Sequence, residues 1–123
     1  AGLDIGLADF EAASRRVPVI GNVRPSGKKY LMEDFFYAGG IRALMANIRE
    51  HLDLSCMTVN GRTIGENIEG ARTFNDDVIR PVSNPIYGEG SLAVLKGNLA
   101  PDGCVIKPAA MDQRFLKHAG PAV

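Results

Sequence analysis

Pro25-Ser26-Gly27-Lys28-Lys29 lies between a short apolar run, Val17-Pro18-Val19-Ile20, and a stretch from Tyr30 that carries Glu33 and Asp34 near its start. If the run is a strand and the stretch a helix, the loop offers backbone N–H groups, a hydroxyl and two ammonium groups at the positive end of a helix dipole. That combination suits a phosphate or a carboxylate. Ser26, Gly27 and Lys28 are therefore the candidate substrate-binding residues. The formal phosphate-loop motif is not met: Gly21 and Gly27 are separated by five residues instead of four, and Lys29 stands where a Ser or Thr would hold magnesium. A solvated loop that only turns the chain is the plainer alternative.

Other reactive side chains give less. Glu33 and Asp34 are adjacent, and neighbours on a helix point about 100° apart, so they complement the helix dipole better than they form an acid/base pair. Asp76 and Asp77 lack the further oxygen ligands a hard cation needs, which leaves capping or turn chemistry. His51 and His118 fit no metal-ligand spacing, and no serine sits in a Gly-x-Ser-x-Gly elbow. Cys56 and Cys104 have no Cys-x-x-Cys partner and read as buried free thiols. No catalytic and no metal-ligating residue is assigned.

Composition bounds the remaining classes. The 123 residues carry 14 Lys plus Arg and 14 Asp plus Glu. Cutting after Asn60 leaves seven of each sign on both sides, so no basic half exists to bind nucleic acid. No apolar run approaches the roughly 18 residues of a membrane span, and AGLDIGLADF is no secretion signal. A soluble, cytoplasmic protein with no membrane partner is expected. At this size a compact fold should expose about 6,400 Å². The absence of an initial methionine and the turn signal Gly120-Pro121 just before Ala122-Val123 suggest a sequence cut at both ends.

The elements that must position the loop follow from spacing. Leu7 to Arg16 has helical periodicity with acids early and Arg15 and Arg16 late. Tyr30 to Ala38 is a second helix ended by Gly39-Gly40. A third runs from Ile41 to about Leu52, with Ile41, Leu44, Met45, Ile48 and Leu52 on one face. Val17–Ile20 and Cys56–Val59 read as strands, Asn60-Gly61 as a tight turn, and Thr63-x-x-Glu66 as a capping box opening a short helix. This alternation predicts a layered α/β arrangement with parallel strands. From about Ala71 to Gly90 the chain is rich in turn formers and behaves as a linker. Ser91–Lys96 and Cys104–Lys107 then read as strands joined by a turn at Pro101-Asp102-Gly103.

The runs Val17-Pro18-Val19-Ile20, Arg24-Pro25-Ser26-Gly27, Tyr30-Leu31-Met32-Glu33-Asp34-Phe35-Phe36-Tyr37-Ala38-Gly39-Gly40, Thr58-Val59-Asn60-Gly61 and Val78-Ile79-Arg80-Pro81 resemble the dihydroxy-acid and phosphogluconate dehydratase family. The segment from Asn84-Pro85-Ile86-Tyr87-Gly88 through Ala100-Pro101-Asp102-Gly103 continues the likeness. The resemblance implies an α/β fold in which residues 1–70 end an N-terminal α/β domain with parallel strands. Residues 71–90 would form the linker, and 91–123 the start of a mostly β C-terminal domain.

The same resemblance implies a hydro-lyase that removes water from a small-molecule polyhydroxy acid to give a 2-keto acid. It would use an iron-sulfur cluster as Lewis acid and a magnesium ion at the carboxylate end. The parent protein would be a homo-oligomer. The family's Cys-Asp-Lys and Thr-Asp-Gly-Arg-Phe-Ser-Gly runs are missing from these residues, and neither Cys56 nor Cys104 matches a cluster position. The chain is therefore expected to be an internal fragment, inactive alone and binding neither cofactor. It should expose apolar surface around Phe35, Phe36 and Val123. The wording of residues 35–40 and of Asn75-Asp76-Asp77-Val78 leans toward a sugar-acid (aldonate) dehydratase of the arabinonate type. The alternatives are a dihydroxy-acid dehydratase of branched-chain amino-acid synthesis and a non-catalytic module binding a small anion at Ser26, Gly27 and Lys28.

Overall fold

Apolar side chains from distant stretches meet in a small core of Ile20, Ala38, Ala43, Ile48, Val78 and Ile79, with Val17, Val23, Tyr30, Phe35, Leu44 and Leu52 packed against it. The structure, a computed structural model, describes residues 2, 4–112, 114 and 116–121. Their helices are α1 (Leu7–Arg16), α2 (Met32–Tyr37), α3 (Gly40–Asn47) and α4 (Ile64–Ile68). Two strands follow, β1 (Ala93–Gly97) and β2 (Ala100–Ile106), and single 3-10 turns cover Arg49–His51 and Pro108–Ala110. None of the described helices is long and apolar enough to cross a membrane.

Local chemistry sets most helix ends. The Asp9 carboxylate accepts the Gly6 N–H at 2.9 Å to start α1, and Asp34 does the same for the Leu31 N–H at 2.8 Å to start α2. At α4 the expected capping box is present: Glu66 N–H donates to Thr63 Oγ1 at 3.2 Å, and Thr63 N–H donates to Glu66 Oε2 at 2.7 Å. Between α2 and α3, Gly39 has φ +116° and lies so close to Ala43 and Arg72 that a Cβ would sit 2.6 Å from the Arg72 oxygen. Only glycine fits there. The third helix stops at Asn47, short of Leu52, and its side chain donates to Ala43 C=O at 3.0 Å and Thr73 Oγ1 at 2.8 Å. Such amide bonds compete with the last helical turn. Ile41, expected on the core face, is exposed, and Ala43 is buried instead.

Several expectations change. Val17–Ile20 does not form a regular strand: Val19 bridges Tyr87, Gly21 bridges Ile79 and Val23 bridges Tyr30, each as an isolated rung. Pro18 has no N–H, and the facing stretch is itself interrupted by Pro81 and Pro85, so no continuous ladder can grow. Cys56–Val59 is likewise reduced to a Met57–Thr63 bridge. The sheet found among the described residues is the antiparallel pair β1 and β2, in the stretch where two strands joined by a turn were expected; within residues 1–70, where parallel strands were expected, the strand pairings are only isolated bridges. Within residues 71–90, Val78 and Ile79 are 1% and 0% exposed in the core. Burial of that apolar pair outweighs the turn-forming composition around it. Both cysteines are exposed free thiols, not buried ones: Cys56 lies in the turn-rich stretch before α4, and Cys104 lies on β2 of a two-stranded hairpin whose packing against α1 leaves it uncovered.

The hairpin also turns elsewhere than expected. Gly97 pairs with Ala100 across a two-residue turn, Asn98-Leu99. Leu95 pairs with Cys104, so Pro101, Asp102 and Gly103 together oppose Lys96 as a bulge. Pro101 cannot donate to a ladder, which explains why the residues read as a turn bulge out of a strand instead.

The chain exposes 9180 Å², against the roughly 6,400 Å² of a compact domain this long. Phe36, Tyr37, Met32 and Ile41 are 73%, 69%, 64% and 61% exposed, whereas Phe35 packs on the core. Ala122 and Val123 lie outside the described residues.

Because Ile79 is fully enclosed, Ile79→Ala is expected to cost about 2–5 kcal/mol and Ile79→Val about 0.5–1.5 kcal/mol. Urea unfolding checks the order, and equal midpoints for the two variants would contradict this packing.

Candidate functional site

The loop that sequence reasoning selects is closed on itself. Arg24 N–H donates to Tyr30 C=O at 2.9 Å, Arg24 Nε donates to Lys28 C=O at 3.0 Å, and Gly27 N–H donates to Val23 C=O at 2.8 Å. Gly27 is buried against Asn22, and an added Cβ would lie 2.6 Å from the Asn22 carbonyl carbon. This close approach requires glycine.

The loop is also tied to a remote stretch. Asn22 N–H donates to Val78 C=O at 2.8 Å, and its side-chain amide donates to Asp77 C=O at 2.9 Å. At the other end of the loop, the Tyr30 hydroxyl donates to Asp77 Oδ2 at 2.8 Å, and Lys29 Nζ stands 3.7 Å from the same oxygen. Arg80 Nη2 donates to Asp77 Oδ1 at 3.2 Å. The hydrogen bonds from Tyr30 and then Arg80 hold the Asp77 carboxyl below its ordinary range, with the Lys29 and Arg80 charges adding to the effect against partial desolvation. The Lys29 ammonium lies 4.6 Å from the Tyr30 ring centroid, a cation–π contact on the same cluster.

Ser26, Gly27 and Lys28 do not play equal parts in this arrangement. Ser26 is half-buried and lines a mainly apolar cleft of about 400 Å³ beneath α1, beside Phe10, Val17, Ile20 and Leu44. The Gly27 N–H is occupied by Val23, so it is not free for a ligand. Lys28 is exposed and does not line the cleft. The start of α2 is already capped by Asp34, which removes the free positive end expected there. What the loop can offer an anion is the Ser26 hydroxyl and the Lys28 ammonium, with Lys29 engaged at Asp77.

The turn chemistry expected at residues 76–77 is present, since Asp77 N–H donates to Asn75 Oδ1 at 3.0 Å. Sequence reasoning missed the partnership of Asp77 with Tyr30 and Asn22, which are 47 and 55 residues away. No local spacing signals it. His51 is exposed in the 3-10 turn after α3. The Cys56 thiol is pushed up by its hydrogen bond to Asp53 and by that residue's charge, which disfavours the thiolate a nucleophile needs.

Residues 1–67 match the family model described as dihydroxy-acid/6-phosphogluconate dehydratase N-terminal, and residues 77–123 match its C-terminal counterpart. The chain belongs to the dihydroxy-acid/6-phosphogluconate dehydratase family. It is 49% identical over 99% of its length to a protein of Rhizobium meliloti (strain 1021) named as the dehydratase IlvD1, of which it covers 21%. It is 43% identical over 98% of its length to the dihydroxy-acid dehydratase of Methanothermobacter thermautotrophicus, covering 22% of that protein. The L-arabinonate dehydratase of Rhizobium leguminosarum bv. trifolii is 42% identical over 99% of the chain, which covers 21% of it. The chain thus spans about a fifth of the length of these relatives. Within this dehydratase-family chain, the two matched regions leave residues 68–76 between them, immediately before the Asp77 that clasps the loop.

The described residues do not fit the iron-sulfur cluster or magnesium ion that the family likeness implies. No group of three or more His, Cys, Asp or Glu among them converges on one point, and the Cys56 thiol is turned toward a carboxylate.

Two outcomes test the site. Gly27→Ala should cost about 1–3 kcal/mol, because the new methyl meets backbone instead of a flexible side chain; thermal unfolding measures it. A depressed Asp77 pKa adds stability that is present above the unfolded-chain value of about 3.9 and is lost as pH falls through the lower folded value. NMR titration of the Asp77 carboxyl should therefore give a midpoint below about 3.9, moving upward toward that value in Tyr30→Phe.

Proposed function

We propose that these residues are an internal part of a hydro-lyase that dehydrates a sugar acid (aldonate) to a 2-keto-3-deoxy acid, with the proton-transfer and metal chemistry carried by parts of the polypeptide outside them. The observation that carries this reading is the family match across both terminal models by a chain that covers about a fifth of its relatives. The excess of exposed surface supports it, since faces such as Phe36–Tyr37 are left uncovered by these residues. The split of the match between residues 67 and 77 supports a domain junction near the start of 71–90. The cluster and magnesium, the parallel sheet, the homo-oligomeric state and a cytoplasmic location belong to this same proposal for the parent protein.

In such a reaction the C2 proton and the C3 hydroxyl leave as water, and the resulting enol becomes the ketone. The loop's part is binding. The Ser26 hydroxyl donates to one carboxylate oxygen of the acid and the Lys28 ammonium balances its charge, while the rigid Gly27 turn fixes their spacing. A dihydroxy acid of branched-chain synthesis is the second reading, favoured by the mainly apolar cleft beside Ser26 and by the equally similar dihydroxy-acid dehydratase.

The full-length polypeptide carrying this sequence should turn over L-arabinonate or another pentonate faster than a branched 2,3-dihydroxy acid, and the 123 residues alone should give no water loss in a single-turnover assay. The opposite order of kcat/KM overturns the sugar-acid assignment, and turnover by the 123 residues alone overturns the division of labour. The 123 residues should also unfold gradually and bind an apolar dye; a sharp transition without dye uptake contradicts the uncovered-surface argument.

A further inference from the structure

We propose that Asp77 is the positioning residue of the Ser26–Lys28 loop, holding its entrance and its exit with one residue. The proposal rests on that loop being the carboxylate-binding element described above. At the entrance, the Asp77 carbonyl accepts the Asn22 side-chain amide at 2.9 Å. At the exit, the Asp77 carboxylate accepts the Tyr30 hydroxyl at 2.8 Å and faces Lys29 Nζ at 3.7 Å. Between these points the chain is cross-tied by Arg24 to Tyr30 and Lys28, so fixing Asn22 and Tyr30 fixes the geometry of Ser26 and Lys28.

Asp77 is a suitable anchor. Its own N–H is held by Asn75, and the next two residues, Val78 and Ile79, are the most enclosed large side chains of the core. The Asp77 side chain itself is about half exposed, at 49%. The carboxylate is therefore a clasp at the surface mounted on a buried base. A ligand that needs Ser26 and Lys28 at a set separation then binds a loop already held in shape, and so avoids the cost of ordering it.

The consequence is a split between binding and turnover. In the full-length polypeptide, with L-arabinonate and a branched 2,3-dihydroxy acid as probes, Tyr30→Phe and Asp77→Asn should raise KM about three- to tenfold and leave kcat within about twofold. Amide hydrogen exchange of residues 23–29 should speed up in both variants. Ser26→Ala and Lys28→Ala test the underlying loop directly and should raise KM as well. If they raise KM while Tyr30→Phe and Asp77→Asn leave it unchanged, the loop reading stands and the positioning role is overturned. If Ser26→Ala and Lys28→Ala leave KM unchanged, the loop reading fails and the proposal fails with it. A fall in kcat at constant KM in the Asp77 and Tyr30 variants also overturns it. Should Asp77→Asn fail to fold, Tyr30→Phe, which removes a single hydroxyl, carries the test.

Discussion

The structure depends on a strip of backbone, residues 19–22, being held between α3 and the stretch around Val78–Ile79. Ile20 C=O accepts the Arg80 N–H at 2.9 Å, Asn22 N–H donates to Val78 C=O at 2.8 Å, and Val19 N–H donates to Tyr87 C=O at 2.9 Å. These bonds satisfy the polar backbone on either side of Ile20, and so allow it to be buried at 2% exposure. Everything named at the candidate site hangs on that strip. The loop leaves it at Asn22, and Asp77 stands at its edge.

Signals that act within one turn of chain were legible in the sequence. The bounds of α1, with acids early and arginines late, and the Thr63–Glu66 capping box both came from such signals and are present. What escaped depends on distant partners. Val78 and Ile79 sit in a tract whose prolines and glycines report turns correctly but say nothing of where the apolar pair goes. Pro101-Asp102-Gly103 carries turn chemistry, yet the Leu95–Cys104 pairing makes it a bulge, because register is decided across the hairpin. Around the candidate site, the turn at residues 24–29 was legible. The occupation of the Gly27 N–H and the clasp at Asp77 were not, since the first depends on how the loop folds and the second on a contact 47 residues away; the Asp34 cap of α2 is a three-residue signal that the reading of Asp34 as a dipole complement passed over.

The site and the surface point the same way. The loop presents binding groups without a set of metal ligands or an activated nucleophile among the described residues, and the aromatic face of α2 is exposed. The proposed division between holding a substrate and transforming it concerns a chain that spans a fifth of its relatives.

The three-for-one bulge in β2 has an effect on self-association. A two-stranded hairpin leaves both outer borders open to strands from other molecules, the usual route to fibrillar aggregates. Along β2, Pro101 removes a hydrogen-bond donor, and the exposed Asp102 adds a charge beside it. That border is a poor template for a growing filament, and partly unfolded molecules that still carry the hairpin are shielded on that side.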